Sequence, residues 1–240
     1  MAINLTPDRH RFDRRFFLFT AAGFILVVLA GFAQTYYLKS VFGSPQLRTL
    51  THLHGLVMSA WVVFFAAQVF WVRQRAVKRH MQMGMAGVAL AALVVVTGIA
   101  VAIESARLGS ATAPPDIPPL PFLIVPLGDI VIFALLFGAA VYWRKNAANH
   151  KRLMLLTVLN FLPPAVARIP IPALQSLGPL WFFGLPDLLA ITFVAYDTWK
   201  NGRLNRVFAV GATLLILSHP IRIMVSGTDT WLRFAAWLTG

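Results

Sequence analysis

The sequence predicts an all-α polytopic membrane protein: a single domain of seven transmembrane helices over residues 1–240, with its N-terminus in the cytoplasm and its C-terminus outside. Three observations carry this prediction. The chain of 240 residues is 58% hydrophobic and 12% charged, too apolar for an ordinary soluble domain. Its apolar residues fall into seven runs of near-spanning length, a crossing needing about 20 apolar residues. Fifteen of the 21 lysines and arginines sit in the tail or connections on alternate sides of those runs, the bias that orients membrane helices with basic loops inside.

The runs are 16–37, 45–72, 84–103, 120–143, 152–168, 179–198 and 206–226. The first follows a basic tail, residues 1–15, with Arg9, Arg11, Arg14 and Arg15. No A-x-A cleavage site follows it, so it reads as a retained helix rather than a signal peptide. The second is expected to open at Ser44 as N-cap with Pro45 in the first turn. Arg73, Arg75, Lys78 and Arg79 separate runs two and three. The proline-rich "GSATAPPDIPPLP" (109–121) predicts an extended outer loop. Arg144, Lys145, Lys151 and Arg152 mark the next inner turn, and Lys200, Arg203 and Arg206 the last. Run five is interrupted by Pro163–Pro164. The tail 227–240 places Trp231, Phe234, Ala235, Trp237 and Leu238 toward one side of a short helix lying along the outer interface.

The formal charge of +13 is therefore a topology signal, with some attraction to anionic lipid, and not a nucleic-acid footprint. The absence of cysteine excludes a disulfide, a covalent c-type haem and an iron–sulfur cluster. All five lysines (39, 78, 145, 151 and 200) lie in connections, which excludes a retinal Schiff base in the last helix.

Ionisable side chains inside hydrocarbon are costly and face a bundle interior or a wet cavity. His54, Asp129, Arg168, Asp187, His219 and Arg222 all map to the outer half of their runs, whereas the inner half carries almost none beyond its loops. Pro126, Pro163–Pro164, Pro186 and Pro220 lie beside them, where freed backbone carbonyls need protein or water partners. The pattern predicts a polar pocket open to the outside.

The pair His52 and His54 opens run two in "THLHG". Two residues apart in a helix point about 200° apart, so one imidazole is expected to face the pocket and the other to make a structural hydrogen bond, with His54 favoured for the pocket. His54, Trp61 and Gln68 form a polar seam at seven-residue spacing. His52 shares a small-residue stripe with Gly55, Ser59 and Ala66 that lets another helix approach. Haem b held by His52 or His54 together with His219, with Arg168 or Arg222 at the propionates, is one expected occupant. A copper, iron or zinc ion on His54, His219, Asp129 and Asp187 is another. Against both stands the plainer expectation that these groups pair as internal struts. His10, His80 and His150 sit among basic residues and are expected to be solvated or to face lipid headgroups, and Tyr196 and Asp197 are expected to be boundary residues beside Lys200.

"HLHG…W…Q", "RQRAVKRHMQMG", "HKRLMLL…PPAVAR", "PDLL…AYDTWKNGR" and the closing "R…SGT…W…AAWL" resemble a large uncharacterised family of bacterial seven-helix inner-membrane proteins with an HxHG motif at the start of helix two. The resemblance covers most of the chain. Gln74–Arg75 replaces the family's glycine–arginine, and Met83 replaces its leucine. It implies a multi-pass location in the bacterial inner membrane, with the outer side periplasmic, and draws attention to His52, His54, Arg168, Asp187 and Arg222. It implies no reaction. The functions expected are electron transfer, metal handling or oxidase biogenesis at a haem or metal. The alternatives are a metal-free carrier or receptor for a small anionic or amphipathic molecule, and an accessory subunit of a larger membrane complex. The expected partners are the lipid bilayer and other membrane subunits, with no nucleic acid.

Overall fold

The computed structural model describes residues 7–109 and 118–240, with side chains from Arg15 onward. The central part of the proline-rich loop and the first residues of the basic tail lie outside the described residues. Every described element is helical: α1 (Pro7–Phe32), α2 (Thr49–Arg73), α3 (Val77–Leu108), α4 (Pro119–Phe122), α5 (Ile124–Tyr142), α6 (Ala147–Leu159), α7 (Pro163–Ala167), α8 (Pro172–Gln175), α9 (Pro179–Phe182), α10 (Gly184–Asn201), α11 (Arg206–Ser226) and α12 (Asp229–Thr239). Among the described residues, six stretches are long and apolar enough to cross a membrane: Arg15–Tyr37, Thr49–Arg73, Val77–Leu108, Pro119–Tyr142, Pro179–Asn201 and Arg206–Ser226. The chain is a polytopic all-α membrane protein.

The expected fifth run is not one long helix, because it is broken. Asn160–Leu162 separate α6 from α7, and Pro163 and Pro164, lacking amide hydrogens, start α7. This segment is the core. Leu155, Leu156, Thr157, Val158, Leu159, Asn160, Leu162, Ala165 and Val166 are all buried, which places protein on every side of it. None of the exposed large hydrophobics lies between residues 143 and 170, whereas α1, α2, α3, α5, α10 and α11 each expose several.

Those six helices form a ring around α6–α7. Neighbours pack in the order α1, α2, α3, α5, α11 and α10. Phe16 closes the ring against Phe193 and Tyr196. Glycines set the closest approaches. A Cβ on Gly31 of α1 would lie 2.1 Å from the Ala165 carbonyl oxygen, and one on Gly211 of α11 would lie 2.7 Å from Leu156. The short turns that join the long helices, α2 to α3, α5 to α6 and α10 to α11, lie at one end, the basic end. There Asn146 caps α6, Asn205 caps α11 and Gly202 ends α10 with φ +67°.

Several boundaries differ from expectation, α3 running from Val77 to Leu108 rather than over the expected 84–103. Helix α1 begins at Pro7, inside the basic tail. Helix α2 begins at Thr49 rather than at Ser44–Pro45. The Ser44 hydroxyl donates instead to the Gln34 carbonyl at 2.7 Å, in a π-helical segment, Ala33–Tyr37, whose wider turn needs such partners. The tail forms α12, anchored by Trp231 Nε1 donating to the Leu120 carbonyl at 3.0 Å, with Trp237 exposed.

Candidate functional site

At the end of the bundle opposite the tight turns, four ionisable side chains converge from three helices. Asp129 on α5 and Arg222 on α11 are both buried and form an ion pair, Nη1 to Oδ1 at 2.5 Å. The rest of the guanidinium is satisfied by backbone and hydroxyl acceptors: Nη1 to the Val125 carbonyl, Nε to the Ser218 carbonyl and Nη2 to the Ser218 hydroxyl. Gly128 makes this possible, because a Cβ there would lie 2.4 Å from Arg222 Cδ. One turn before Arg222, His219 Nδ1 meets Asp187 Oδ1 of α10 at 2.8 Å. Phe183, at the α9–α10 break, stacks on the His219 ring at 4.2 Å and lies 5.7 Å below the Arg222 guanidinium. Asn160, at the break of the central helix, donates to the Asp129 backbone carbonyl at 2.8 Å.

Two polar atoms in this cluster are buried without a hydrogen-bond partner: His219 Nε2 and Asn160 Oδ1. Buried polar atoms are nearly always paired, and an exception asks for a reason. With Asp187 accepting, Nδ1 carries the hydrogen, and in the neutral ring Nε2 is the nitrogen with the lone pair.

Of the residues expected from the sequence, the structure brings together Asp129, Asp187, His219 and Arg222. It does not bring the others to them. His54 lies on the α2–α3 side of α5, its Nδ1 3.1 Å from Thr97 Oγ1 and its ring beside Gly98 and Ile130. Helix α5 stands between it and His219. His52 faces α1, with its ring 5.9 Å from Tyr36 and its carbonyl accepting from the Tyr36 hydroxyl. The small-residue stripe next to it receives Tyr36 against Gly55 and the Tyr37 hydroxyl against Ser59. Arg168 ends α7, donates to the Pro164 carbonyl and covers the Phe32 ring of α1 at 5.1 Å. Along the seam, Trp61 and Gln68 turn inward and are buried. Among the described residues, no group of three or more histidine, aspartate or glutamate side chains is arranged to hold a metal ion.

Sequence reasoning missed Asn160, Ser218 and Phe183 as members of the cluster. A polar residue three positions before a Pro–Pro pair in an apolar run was the available signal for Asn160. It also misjudged the other end, where almost no buried polar groups were expected. Arg152 of α6, buried, clasps Asp197 of α10 with two parallel bonds, 2.9 Å and 2.6 Å. Asn149 and Asn205 pair at 2.9 Å. Asp197 is thus an ion-pair partner of the central helix, not a boundary residue. His80 and His150, expected in solvent or among headgroups, are half-buried and face each other across α3 and α6. The error has one main cause: α6 is central, so Asn149 and Arg152 near its start are covered by neighbours, although Ala147 and Ala148 are exposed. His10 lies where side chains are outside the described residues.

The chain matches no family model, no curated protein and no solved structure. Function is therefore argued from the cluster itself.

Proposed function

We propose that this is a seven-span protein of the bacterial inner membrane, N-terminus cytoplasmic, that binds a haem or metal centre through His219 at its periplasmic side, serving electron transfer, metal handling or oxidase biogenesis. The seventh crossing is α6–α7, whose break is tolerated because the ring helices cover it. One observation carries the reading: Asp187 holds His219 Nδ1 while Nε2 is left buried and unpartnered. A carboxylate on the far nitrogen is the common way of fixing a ligand histidine and raising its basicity. The neighbouring carboxylate, Asp129, is engaged by Arg222, so His219 is the one nitrogen ligand the cluster offers, beside the unpartnered Asn160 Oδ1. A single histidine suits a haem iron, which takes its other donors from the porphyrin.

Charge favours a second reading. With His219 neutral, Asp129, Asp187 and Arg222 leave the cluster one negative charge in excess in a poorly solvated place, which is costly. A proton on Nε2 balances it as a metal would. His219 then acts as a proton acceptor for a metal-free carrier, a role typical of intramembrane histidine–carboxylate chains.

Protein purified without chelator or added metal separates these. The haem reading expects a Soret band that moves on reduction and disappears in His219→Ala. The ion reading expects bound metal that the same substitution removes. A colourless, metal-free preparation overturns both and leaves proton uptake. That reading in turn requires His219 to titrate in histidine-labelled NMR spectra, and the titration to change in Asp187→Asn.

A further inference from the structure

His80 and His150 pose a separate question at the basic end. Their ring centroids are 6.1 Å apart with planes inclined by 72°. His150 Nδ1 lies 2.8 Å from the carbonyl oxygen of Ala140, in the last turn of α5. A carbonyl only accepts, so Nδ1 carries the hydrogen and Nε2 of His150 presents its lone pair. His80 Nδ1 is shielded from solvent and has no hydrogen-bond partner. Two imidazole donors from different helices thus lie side by side, one with its tautomer fixed by the backbone.

We propose that His80 and His150 form a two-coordinate site for a soft monovalent cation, Cu(I). The spacing fits. With a metal–nitrogen bond of about 2 Å, two imidazoles sharing one ion place their centroids about 5–6.5 Å apart as the angle at the metal opens from tetrahedral to linear. The surroundings select the ion. Lys78, Arg79 and Lys151 adjoin the two histidines in sequence. The nearby carboxylate Asp197 is held by Arg152. A divalent cation would add two charges to this basic end, whereas Cu(I) adds one. Imidazole and thioether are ligands that Cu(I) accepts. Met154 lies one helical turn beyond His150 on α6, and Met83 about one turn beyond His80 on α3. This inference is independent of what binds at His219.

The test is competition for Cu(I) between the purified full-length protein and bicinchoninate under anaerobic, reducing conditions. Wild type is expected to withdraw one equivalent of Cu(I) from the chelator. His80→Asn and His150→Asn should each weaken binding by more than the roughly 10–100-fold that loss of an outer-shell partner costs, and the double variant should not compete. Melting temperature and elution volume report whether each variant is folded. His54→Asn should leave the affinity unchanged. The proposal is overturned if wild type withdraws no Cu(I), if the folded double variant competes as well as wild type, or if His219→Asn rather than His80→Asn abolishes competition.

Discussion

Replacing Asp129 by leucine removes the one counter-charge of Arg222, which stays buried with three neutral acceptors: the Val125 carbonyl, the Ser218 carbonyl and the Ser218 hydroxyl. Breaking a buried ion pair from one side costs about 3–5 kcal/mol, because a charge is left uncompensated. Both partners are almost wholly buried, so solvent screening offers little relief. For a chain of this length each kcal/mol moves the melting temperature by about 2–4 °C, and the expected drop is on the order of 6–20 °C. Replacing both partners, Asp129→Leu with Arg222→Met, removes the charges together, and such swaps are often neutral or better. The double variant should therefore melt within a few degrees of wild type, well above Asp129→Leu alone. Thermal unfolding of the four proteins in one detergent, analysed as a double-mutant cycle, is the assay. A single variant that melts like wild type, or a double variant that melts as low as the two single losses added together, refutes the reasoning. Either outcome would mean that the pair is not the closed, desolvated unit that the geometry describes.

Gly31→Ala should prevent folding or destabilise severely, since the added carbon would overlap the Ala165 carbonyl oxygen. Gly23→Ala on the same helix, with nothing within 4 Å, should be neutral or gain up to about 1 kcal/mol of helix propensity; melting curves decide both. Gly128→Ala should displace Arg222 and lower the melting temperature, and the loss should shrink in an Arg222→Met background. At the basic end, Asp197→Leu should cost more than Arg152→Met, because the arginine left behind is the more buried partner, with 7% side-chain exposure against 17%. Equal losses would contradict that difference. Alkaline phosphatase fused after residue 176 or 228 should be active, and fused after residue 75, 145 or 203 inactive. Inactivity at 176 and 228 with activity at 203 would remove the crossing assigned to α6–α7.

The sequence alone determined the class of fold and the positions of six long helices. Apolar length and the placement of lysine and arginine are local quantities, and a spanning helix satisfies its own backbone hydrogen bonds without help from neighbours. It also marked Asp129, Asp187, His219 and Arg222, because an ionisable residue deep in an apolar run stands out whatever surrounds it. Which of these meet was decided by tertiary structure. His54 looked as well placed as His219 by depth, yet α5 separates them, since depth along a helix says nothing about azimuth around the bundle. The sequence ranked α6 as one run among seven, and only packing made it the buried axis. That position is why Arg152 and Asn149, which read as loop residues beside a basic turn, are covered by neighbouring helices, and why Asn160 could take the carbonyl of Asp129. Burial at those positions is a property of six other segments closing around them, and no local pattern in the chain encodes it.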